Sequence, residues 1–449
     1  MIHSRNIRPL LWFVLTAVFL ILSSCQIQEN RLISQTHPLP NEALSAFGWF
    51  GVSFSEPMDQ VSVEGTFSIS PSVAGRTFWQ EASFWFRPIV PFSQDTIYTA
   101  QLSGEIETAN GRAVRVDRAW EFTIRQPDLI YFVPMDEGGE VWRAGADGGD
   151  PRPLSTTGGN VIEFAPDRSG SQIAFSVQNE AGGRDLWLMN RDGETQRLLI
   201  TCGNDVCGDP SWSMDQTLIA YTREVFVPEA GGYQPAQVWT VEVERGETAQ
   251  LYQSEIAFGH SPSFSPDGLK LATYDTTQNA IRVLNLETSQ ESGIPRILQG
   301  SGDWSPDSER LLFTDLVEAE NEPFVEIYIA DLEKDTMDTA FENPSTDTDF
   351  SQPRWSPMGD WLAAALRPVN ANITKALWVL PLTEGNPISV ADDPAANYSA
   401  YQWDPWGESL VYQRFALSGS EPVSIWRWDW DSRRAVKILE TGARPLWLP

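Results

Sequence analysis

Residues 264–268, Phe-Ser-Pro-Asp-Gly, are the most complete copy of a short motif that recurs along most of the chain. Pro266 sets φ at the first corner of a turn, Asp267 caps the turn through its side chain, and Gly268 accepts the positive φ that closes a tight hairpin. Each copy therefore predicts a turn between two neighbouring antiparallel strands. The other copies are Phe164-Ala165-Pro166-Asp167, Trp212-Ser213-Met214-Asp215, Trp304-Ser305-Pro306-Asp307, Trp355-Ser356-Pro357-Met358-Gly359, Trp403-Asp404-Pro405-Trp406-Gly407 and a truncated Trp447-Leu448-Pro449.

The spacing of the copies, roughly 40 to 52 residues, is typical of the four-stranded blades of a β-propeller. Alternating apolar runs follow each copy and predict a second strand. A third strand centred on an aromatic residue comes next in most repeats, at Trp142, Trp187, Trp239, Tyr328, Trp378 and Trp426. One repeat departs from this rule and has Ile281-Arg282-Val283 instead. Residues 128–449 are therefore predicted to form a propeller.

The two ends of the repeat region complement each other. Asp128–Leu154 supplies strands like the second, third and fourth of a blade, whereas Arg444–Leu448 supplies only a first strand. Joining them gives a seventh blade closed by both ends of the region, which removes open sheet edges. The alternative is a six-bladed ring with Asp128–Leu154 as an interdomain hairpin.

Residues 44–125 have strand-like alternation of a different kind. The short apolar alternations are Val52-Ser53-Phe54, Val61-Ser62-Val63, Phe84-Trp85-Phe86, Ile97–Leu102 and Trp120–Ile124, and turn residues such as Asn110-Gly111 separate them. This pattern predicts a β-sandwich of roughly 80 residues. The whole chain is thus predicted to be all-β, with a sandwich followed by a propeller.

Two family resemblances go with these motifs. The repeats of residues 128–449 resemble the Trp-Ser-Pro-Asp-Gly repeats of TolB-type propellers, which have six blades, so the seven-blade prediction departs from that family. Residues 44–125, with Phe54-Ser55-Glu56-Pro57-Met58-Asp59, resemble bacterial Ig-like domains of extracytoplasmic proteins. The first resemblance implies an architecture rather than an activity. The second implies a spacer or adhesion module.

The N-terminus reads as a leader. Residues 1–24 contain Arg5 and Arg8, then a nearly continuous apolar run too short to span a bilayer comfortably, then two serines before Cys25. Leu22-Ser23-Ser24-Cys25 resembles the lipobox of bacterial lipoproteins, which implies a diacylglyceryl group on Cys25. Residues 25–43 would be the lipidated cysteine and a polar tether. The alternatives are a plain signal peptide with a chance cysteine, or a short anchor.

The other two cysteines, Cys202 and Cys207, lie in a loop rich in Gly and Asp. Outside the cytoplasm such a pair favours a disulfide that staples a turn. A metal site at this loop would need two further ligands, and no His or Cys is available nearby.

Composition excludes several function classes. The 449 residues contain 31 Lys and Arg against 61 Asp and Glu, a formal net charge of −30, which disfavours nucleic-acid binding. Only three histidines occur, and no Gly-x-Ser-x-Gly elbow or phosphate-binding loop is present, so no catalytic residue, metal ligand or cofactor is predicted. A loose Ca²⁺ site at Asp347, Asp349, Asp392 and Asp393 is a weak alternative, since their spacing matches no dedicated loop.

Tryptophan is abundant, with 19 residues, but ten of them recur at the first-strand and third-strand positions and are explained as packing between blades. Trp406, Trp428 and Trp430 do not follow this pattern, and they are the candidates for a contact surface.

The sequence therefore predicts a monomeric, extracytoplasmic binding or scaffold protein that is held at the membrane only by its lipid. Its propeller would present a face to a protein or glycan partner in the cell envelope. One alternative is a propeller enzyme that acts on polysaccharide with carboxylates at the channel mouth. The other is a purely structural envelope component.

Overall fold

The computed structural model describes residues 32–40, 42–135, 138–252, 258–318, 322–341, 348–369 and 371–449. Cys25, the predicted lipid-attachment residue, and Asp347 lie outside the described residues. The chain divides into two compact units, Met1–Arg125 (unit 1) and Gln126–Pro449 (unit 2). Within the described ranges, no helix is long and apolar enough to cross a membrane.

Unit 1 consists of two antiparallel sheets and one short helix that share a single apolar core. The strands are β1 (Ile33–His37), β2 (Phe50–Phe54), β3 (Phe67–Ser70), β4 (Gly75–Gln80), β5 (Ser83–Pro88), β6 (Tyr98–Glu107) and β7 (Ala113–Phe122), and the helix is α1 (Gln60–Thr66). One sheet has the order β1-β2-β5-β4 and the other has the order β3-β6-β7. Phe50, Phe84 and Phe92 are fully buried with Leu102 and Val116, so both sheets contribute to the core.

Two segments of unit 1 differ from the sequence prediction. Residues 33–37, expected to belong to the tether, form β1 and pair with β2, and Leu32 beside them is buried in the core. Residues 61–63, expected to be a strand, lie in α1, because Asp59 accepts a hydrogen bond from the backbone N–H of Ser62 and caps the helix. Val63 faces the core while Val61 is exposed. A three-residue alternation is too short to distinguish the two periods.

Unit 2 is built from consecutive antiparallel sets of four strands. The first two sets in chain order are β8 (Asp128–Pro134), β9 (Gly139–Gly145) and β10 (Arg152–Pro153), followed by β11 (Val161–Pro166), β12 (Gln172–Gln178), β13 (Arg184–Asn190) and β14 (Arg197–Ile200). The third set is β15 (Val206–Trp212), β16 (Leu218–Glu224), β19 (Gln237–Glu242) and β20 (Thr248–Gln250), and a small hairpin of β17 (Phe226–Val227) and β18 (Gly232–Tyr233) lies between β16 and β19. The remaining sets are β21 (Gly259–Phe264), β22 (Lys270–Asp275), β23 (Ala280–Asn285) and β24 (Glu291–Pro295); β25 (Asp303–Trp304), β26 (Arg310–Val317), β27 (Phe324–Asp331) and β28 (Thr336–Thr339); β29 (Thr348–Trp355), β30 (Trp361–Pro368), β31 (Ala376–Pro381) and β32 (Ile388–Ala391); and β33 (Ala396–Trp403), β34 (Ser409–Ala416), β35 (Ser424–Asp429) and β36 (Arg434–Leu439), after which comes the last strand, β37 (Ala443–Leu448).

The last strand of the chain completes the first set of unit 2. β37 pairs with β8, with Trp447 opposite Leu129 and Leu448 opposite Asp128, so this set has the order β37-β8-β9-β10. The pairing is the one that the sequence predicted for Asp128–Leu154 and Arg444–Leu448.

The apolar clusters of unit 2 lie between sets that follow one another along the chain. Phe175 and Leu448 share one cluster, and Trp428 packs with residues of the preceding set in another. The last set also packs against the first, since Ile425 and Leu439 contact Tyr131 and Ala144. Successive four-stranded sheets packed face to face in this way are a β-propeller.

The repeated motif forms the turn between the first and second strand of a set. Ser265 Oγ donates to Asp267 Oδ1 at 2.6 Å, which in turn accepts the N–H of Leu269, and Ser213 with Asp215 does the same. Phe164-Ala165-Pro166-Asp167 is in a different register from the one predicted. Pro166 pairs with Ile173 in the same way that Trp212 pairs with Ile219 in the next set. Asp167 therefore occupies the position that Ser213 has in that set.

Candidate functional site

The candidate site lies at one end of unit 2, where the first strands of the sets begin at Val161, Val206, Gly259, Thr348, Ala396 and Ala443, and where the second strands end. We call this end the loop face and the opposite end, which carries the repeated turns, the turn face. Tyr233, Ile297 and Ile373 are exposed in connections on the loop face, and Phe415 and Leu417 are exposed at the end of a second strand there.

Five of the first strands share a kink near their starts. The pairing register with the second strand shifts there, and the residue at the shift has positive φ: Asp209, Ser261, Gln352, Ala400 and Arg444, each between 48° and 54°. Such backbone is costly for residues with a Cβ and is concentrated at functional sites. The kink turns these residues out of the regular strand alternation.

These residues were not among the predicted site residues, although the sequence carries a signal for them. Four of the five residues directly precede a proline, and the aromatic residue of the first strand follows that proline by two positions. Examples are Asp209-Pro210-Ser211-Trp212 and Gln352-Pro353-Arg354-Trp355. A bulge accommodates proline because the ladder is interrupted there. These prolines therefore lie at the loop-face end of the first strands, two residues before the corresponding copy of the repeated motif.

A charged cluster joins three neighbouring first strands at this face. Glu163 Oε2 accepts the backbone N–H of Asp209 at 2.7 Å, and Oε1 lies 3.8 Å from Arg184 Nη1. Burial raises the pKa of Glu163; the backbone hydrogen bond from Asp209 opposes this shift, and the negative charge of Asp209 adds to it. Arg444 donates to the carbonyl of Ile162 at 2.8 Å, and burial lowers its pKa.

His260 also lies at the start of a first strand. Its Nδ1 is 2.8 Å from Ser261 Oγ, and its ring lies beside that of Tyr274. No carboxylate orients the ring among the residues described, so the pair lacks the third member of a hydrolytic triad. No group of three or more His, Cys, Asp or Glu in the described part of the chain is arranged to hold a metal ion.

A cavity of about 730 Å³ opens at the loop face between the set β29–β32 and the set β33–β36. Its charged residues are Asp349, Arg367 and Lys375. Asp349 Oδ2 accepts from Arg367 Nε at 3.0 Å and lies 3.2 Å from Lys375 Nζ, which also donates to the carbonyl of Phe350 at 2.6 Å. Burial lowers the pKa of Lys375, whereas the charge of Asp349 raises it.

The rest of the cavity wall combines apolar and neutral polar groups. Ile373, Phe415 and Leu417 give it an exposed apolar rim. Asn397 and Tyr398 lie on the start of β33, and the Tyr398 hydroxyl accepts the backbone N–H of Asp393 at 2.9 Å. A mixed wall of this kind suits a ligand that has both charged and apolar groups.

The tryptophans predicted to form a contact surface have different environments. Trp428 is 0% exposed and packs edge-on against Trp403, so the prediction is wrong for this residue; the period-2 pattern of β35 points it between two sheets. Trp430 is half-buried under the Arg433 guanidinium, 4.0 Å from its ring centroid. Trp406 is half-buried on the turn face. The structure therefore does not bring the three together as one exposed surface.

Other predicted residues have local partners. Cys202 and Cys207 form the predicted disulfide. Of the acidic residues considered for Ca²⁺, Asp349 is paired with Arg367 and Lys375, and Asp393 is paired with Arg414 at 2.7 Å. Their charge is already balanced by cations, which disfavours a calcium site at either one.

No family model matches the chain. A curated relative, the uncharacterized protein Atu1656 of Agrobacterium fabrum, is 22% identical over 303 residues, which are 60% of this chain and 97% of the relative. A crystal structure of a puromycin hydrolase mutant in complex with PGG is 15% identical with a TM-score of 0.53, over 71% of this chain and 53% of that one. TolB from Acinetobacter baumannii is 17% identical with a TM-score of 0.42, over 72% and 82%.

At these identities a structural likeness shows a shared fold alone. The likeness to the puromycin hydrolase therefore shows the fold and no activity of this chain. Unit 2 is a β-propeller whose structural neighbours include TolB-like proteins.

Proposed function

We propose that the chain is a lipid-anchored extracytoplasmic binding protein whose propeller binds a protein partner through the loop face. The observation that carries the proposal is the group of large exposed apolar side chains that line the cavity at that face, Ile373, Phe415 and Leu417. Ile297 is also exposed at the loop face, in the connection between β24 and β25. Exposed apolar patches of this kind mark interaction surfaces.

The electrostatics of the chain favour the same face. The chain has a formal net charge of −30, so a partner approaching most of its surface meets negative charge. The cavity departs from this, because its charged lining contains two cations and one carboxylate. A partner with an acidic or neutral contact segment is therefore expected to be attracted to the loop face more than to other parts of the surface.

The architecture that we propose is a seven-bladed ring preceded by an Ig-like spacer. The seven-blade count is supported by the β37–β8 pairing and by the contacts of Ile425 and Leu439 with Tyr131 and Ala144. An Ig-like fold for residues 44–125 is supported by two antiparallel sheets around a common core. The anchor at Cys25 rests on the sequence, and two acyl chains would hold the protein stably.

The binding proposal is tested by capture from the native cell envelope. We compare the unchanged protein with the triple variant Ile297→Glu, Ile373→Glu, Leu417→Glu, and with the matched control Leu198→Glu, Met337→Glu, Val436→Glu on outer strands. All six residues are exposed, so stability should change little. We expect the loop-face variant to lose the captured partner and the control to retain it. Equal capture by both variants would contradict the proposal, and absence of any partner would favour a purely structural role.

The anchor is tested separately. Replacing Cys25 by Ser removes the thiol that would carry the lipid, so the protein should leave the membrane fraction or remain unprocessed. A Cys25→Ser protein that is cleaved and still sediments with membranes would contradict lipidation.

A polysaccharide-acting enzyme is the second candidate, and the cluster of Glu163, Asp209, Arg184 and Arg444 favours it. A half-buried carboxylate with a raised pKa beside a second acidic residue is a pattern found in glycan-cleaving sites. The test is release of unsaturated or reducing ends from polygalacturonate by the unchanged protein and by Glu163→Gln. Cleavage that disappears in Glu163→Gln would replace the binding proposal with this one.

A further inference from the structure

The cavity at the loop face has more cationic than anionic charge. Arg367 and Lys375 share the single carboxylate of Asp349, and these are the charged residues of its lining. The Lys375 side chain is only 22% exposed, so water compensates its ammonium poorly. Among the described residues that line this half-buried space, the two cations therefore face one carboxylate, which leaves one positive charge in excess.

One of the two cations has a free hydrogen-bonding edge. Arg367 uses Nε for Asp349 and Nη1 for the carbonyl of Ile373, at 3.3 Å. Its Nη2 donates no hydrogen bond to any residue that the structure describes, and 40% of the side chain is exposed. A guanidinium held by two of its three nitrogens is already oriented, so an incoming carboxylate finds the third at little entropic cost.

The cavity also has an apolar component. Ile373, Phe415, Leu417 and Pro394 line it together with the neutral amides of Asn372 and Asn397. These apolar groups can bury an apolar side chain of a ligand. Amide side chains offer both donors and acceptors to a peptide backbone. The cavity volume, about 730 Å³, lies within the range of small-ligand sites.

We propose that this cavity binds the C-terminal carboxylate of a peptide whose last residue is apolar, with Arg367 and Lys375 receiving the carboxylate and the Ile373–Phe415–Leu417 rim receiving the side chain. The proposal rests on the proposed binding function and specifies its ligand. A C-terminal residue carries a carboxylate and an apolar side chain on one Cα, which matches two such groups in one cavity. An internal acidic residue places its carboxylate on a separate side chain from any apolar group.

The test uses three probes and the full chain in mild detergent. The probes are N-acetyl-Gly-Ala-Leu with a free carboxylate, the same peptide as its C-terminal amide, and N-acetyl-Gly-Asp-Leu amide, in which the carboxylate belongs to a side chain. Calorimetric titration measures their affinities. We expect the free acid to bind at least about tenfold more tightly than either amide, as a charge-assisted hydrogen bond predicts.

The variants identify the site. Arg367→Gln should weaken binding of the free acid by about tenfold or more. Leu417→Glu, at an exposed rim position, should weaken it through like-charge repulsion without disturbing the fold. Lys334→Gln is the matched control, because Lys334 forms an exposed ion pair with Asp331 on the turn face. The affinity of the Lys334→Gln variant for the free acid should be unchanged.

Equal binding of acid and amide, preference for the internal aspartate, or unchanged affinity in both cavity variants would overturn the carboxylate proposal. So would the absence of binding by all three peptides at concentrations up to about 10 mM, where even weak affinities are detected. Glucuronic acid is titrated as an additional comparison ligand, and tighter binding of it than of the peptides would also overturn the proposal. Those results would not affect the wider binding function, which the envelope-capture experiment tests independently. Conversely, peptide binding without capture of an envelope partner would support the carboxylate site and contradict the wider binding function.

Discussion

Arg191 Nη2 donates to Asp128 Oδ2 at 2.5 Å, and the same guanidinium donates through Nη1 to the carbonyl of Pro449 at 2.5 Å. Asp128 is the first residue of β8, and Pro449 follows β37, so one side chain from the adjoining set holds both parts of the sheet that the chain ends complete. Asp128 also accepts from Arg143 Nε at 2.9 Å. The ion pair is mostly shielded from solvent, so the loss of one partner would leave the other charge poorly solvated.

Replacing Arg191 by Ala should lower the free energy of unfolding by about 2–4 kcal/mol, because it leaves Asp128 with one cation and frees the carbonyls near the C-terminus. Urea denaturation measures the change. Arg245→Ala removes an exposed pair with Glu242 and serves as the control, with an expected change within about 0.5 kcal/mol. Equal effects of the two variants would show that the buried arrangement adds nothing.

Deleting Gly442–Pro449 should have a much larger effect. On the seven-blade proposal the deletion removes the first strand from the set that begins at Asp128, and it takes away Trp447 and Leu448, which are buried. Protease sensitivity and fast hydrogen exchange should then concentrate in β8 and in the set β33–β36, at a cost comparable with the roughly 5–15 kcal/mol that stabilise a domain. A truncated protein that melts like the full chain would contradict the seven-blade count and favour six.

Asp404 should make stability depend on pH. It is a buried turn residue that accepts from the N–H groups of Trp406 and Glu408 and from Ser409 Oγ, and burial raises its pKa. A carboxyl whose pKa is raised on folding stabilises fully below its unfolded value, near about 3.9, and that contribution is lost as the pH rises through the folded value. The free energy of unfolding of the unchanged protein should exceed that of Asp404→Asn by an amount that decreases as the pH rises above about 4.

Asp331→Asn provides a control of opposite sign for that measurement. Hydrogen bonds from Lys334 lower the pKa of the exposed Asp331, so its contribution is present above the unfolded value and lost as the pH falls through the folded one. The urea midpoint of the unchanged protein should therefore exceed that of Asp331→Asn by a constant amount above about pH 5, and this difference should decrease below about pH 4. If both variants followed the same pH course, burial of Asp404 would not be the cause.

The Cys202–Cys207 disulfide should contribute modestly to stability. It closes a short loop, and the chain-entropy estimate for a loop of this size is about 2 kcal/mol. Thermal melting with and without tris(2-carboxyethyl)phosphine, and of the double variant Cys202→Ala, Cys207→Ala, measures this contribution. Non-reducing peptide mapping should recover the two cysteines in one linked fragment. Free thiols at both positions in protein from the cell envelope would contradict the bond.

Much of the fold was open to prediction because its interactions are local and repeated. Pro266, Asp267 and Gly268 interact within one turn, and the copies of that turn recur, so the strand order within each set followed from the sequence. The same logic failed at Phe164–Asp167, where an aspartate occupies the serine position and carries the turn hydrogen bonds by itself. Two side chains of similar hydrogen-bonding ability made the register ambiguous at that turn.

The sequence by itself determined the all-β class, the position of the turns and the cysteine pair, since each depends on residues near one another in the chain. Only the tertiary structure decided where Trp428 lies and which charges meet. Trp428 is buried because two sheets close over it, and its spacing along β35 could not reveal that. The cavity of Asp349, Arg367 and Lys375 likewise exists because the neighbouring sets pack side by side, which brings loops distant in sequence to one face.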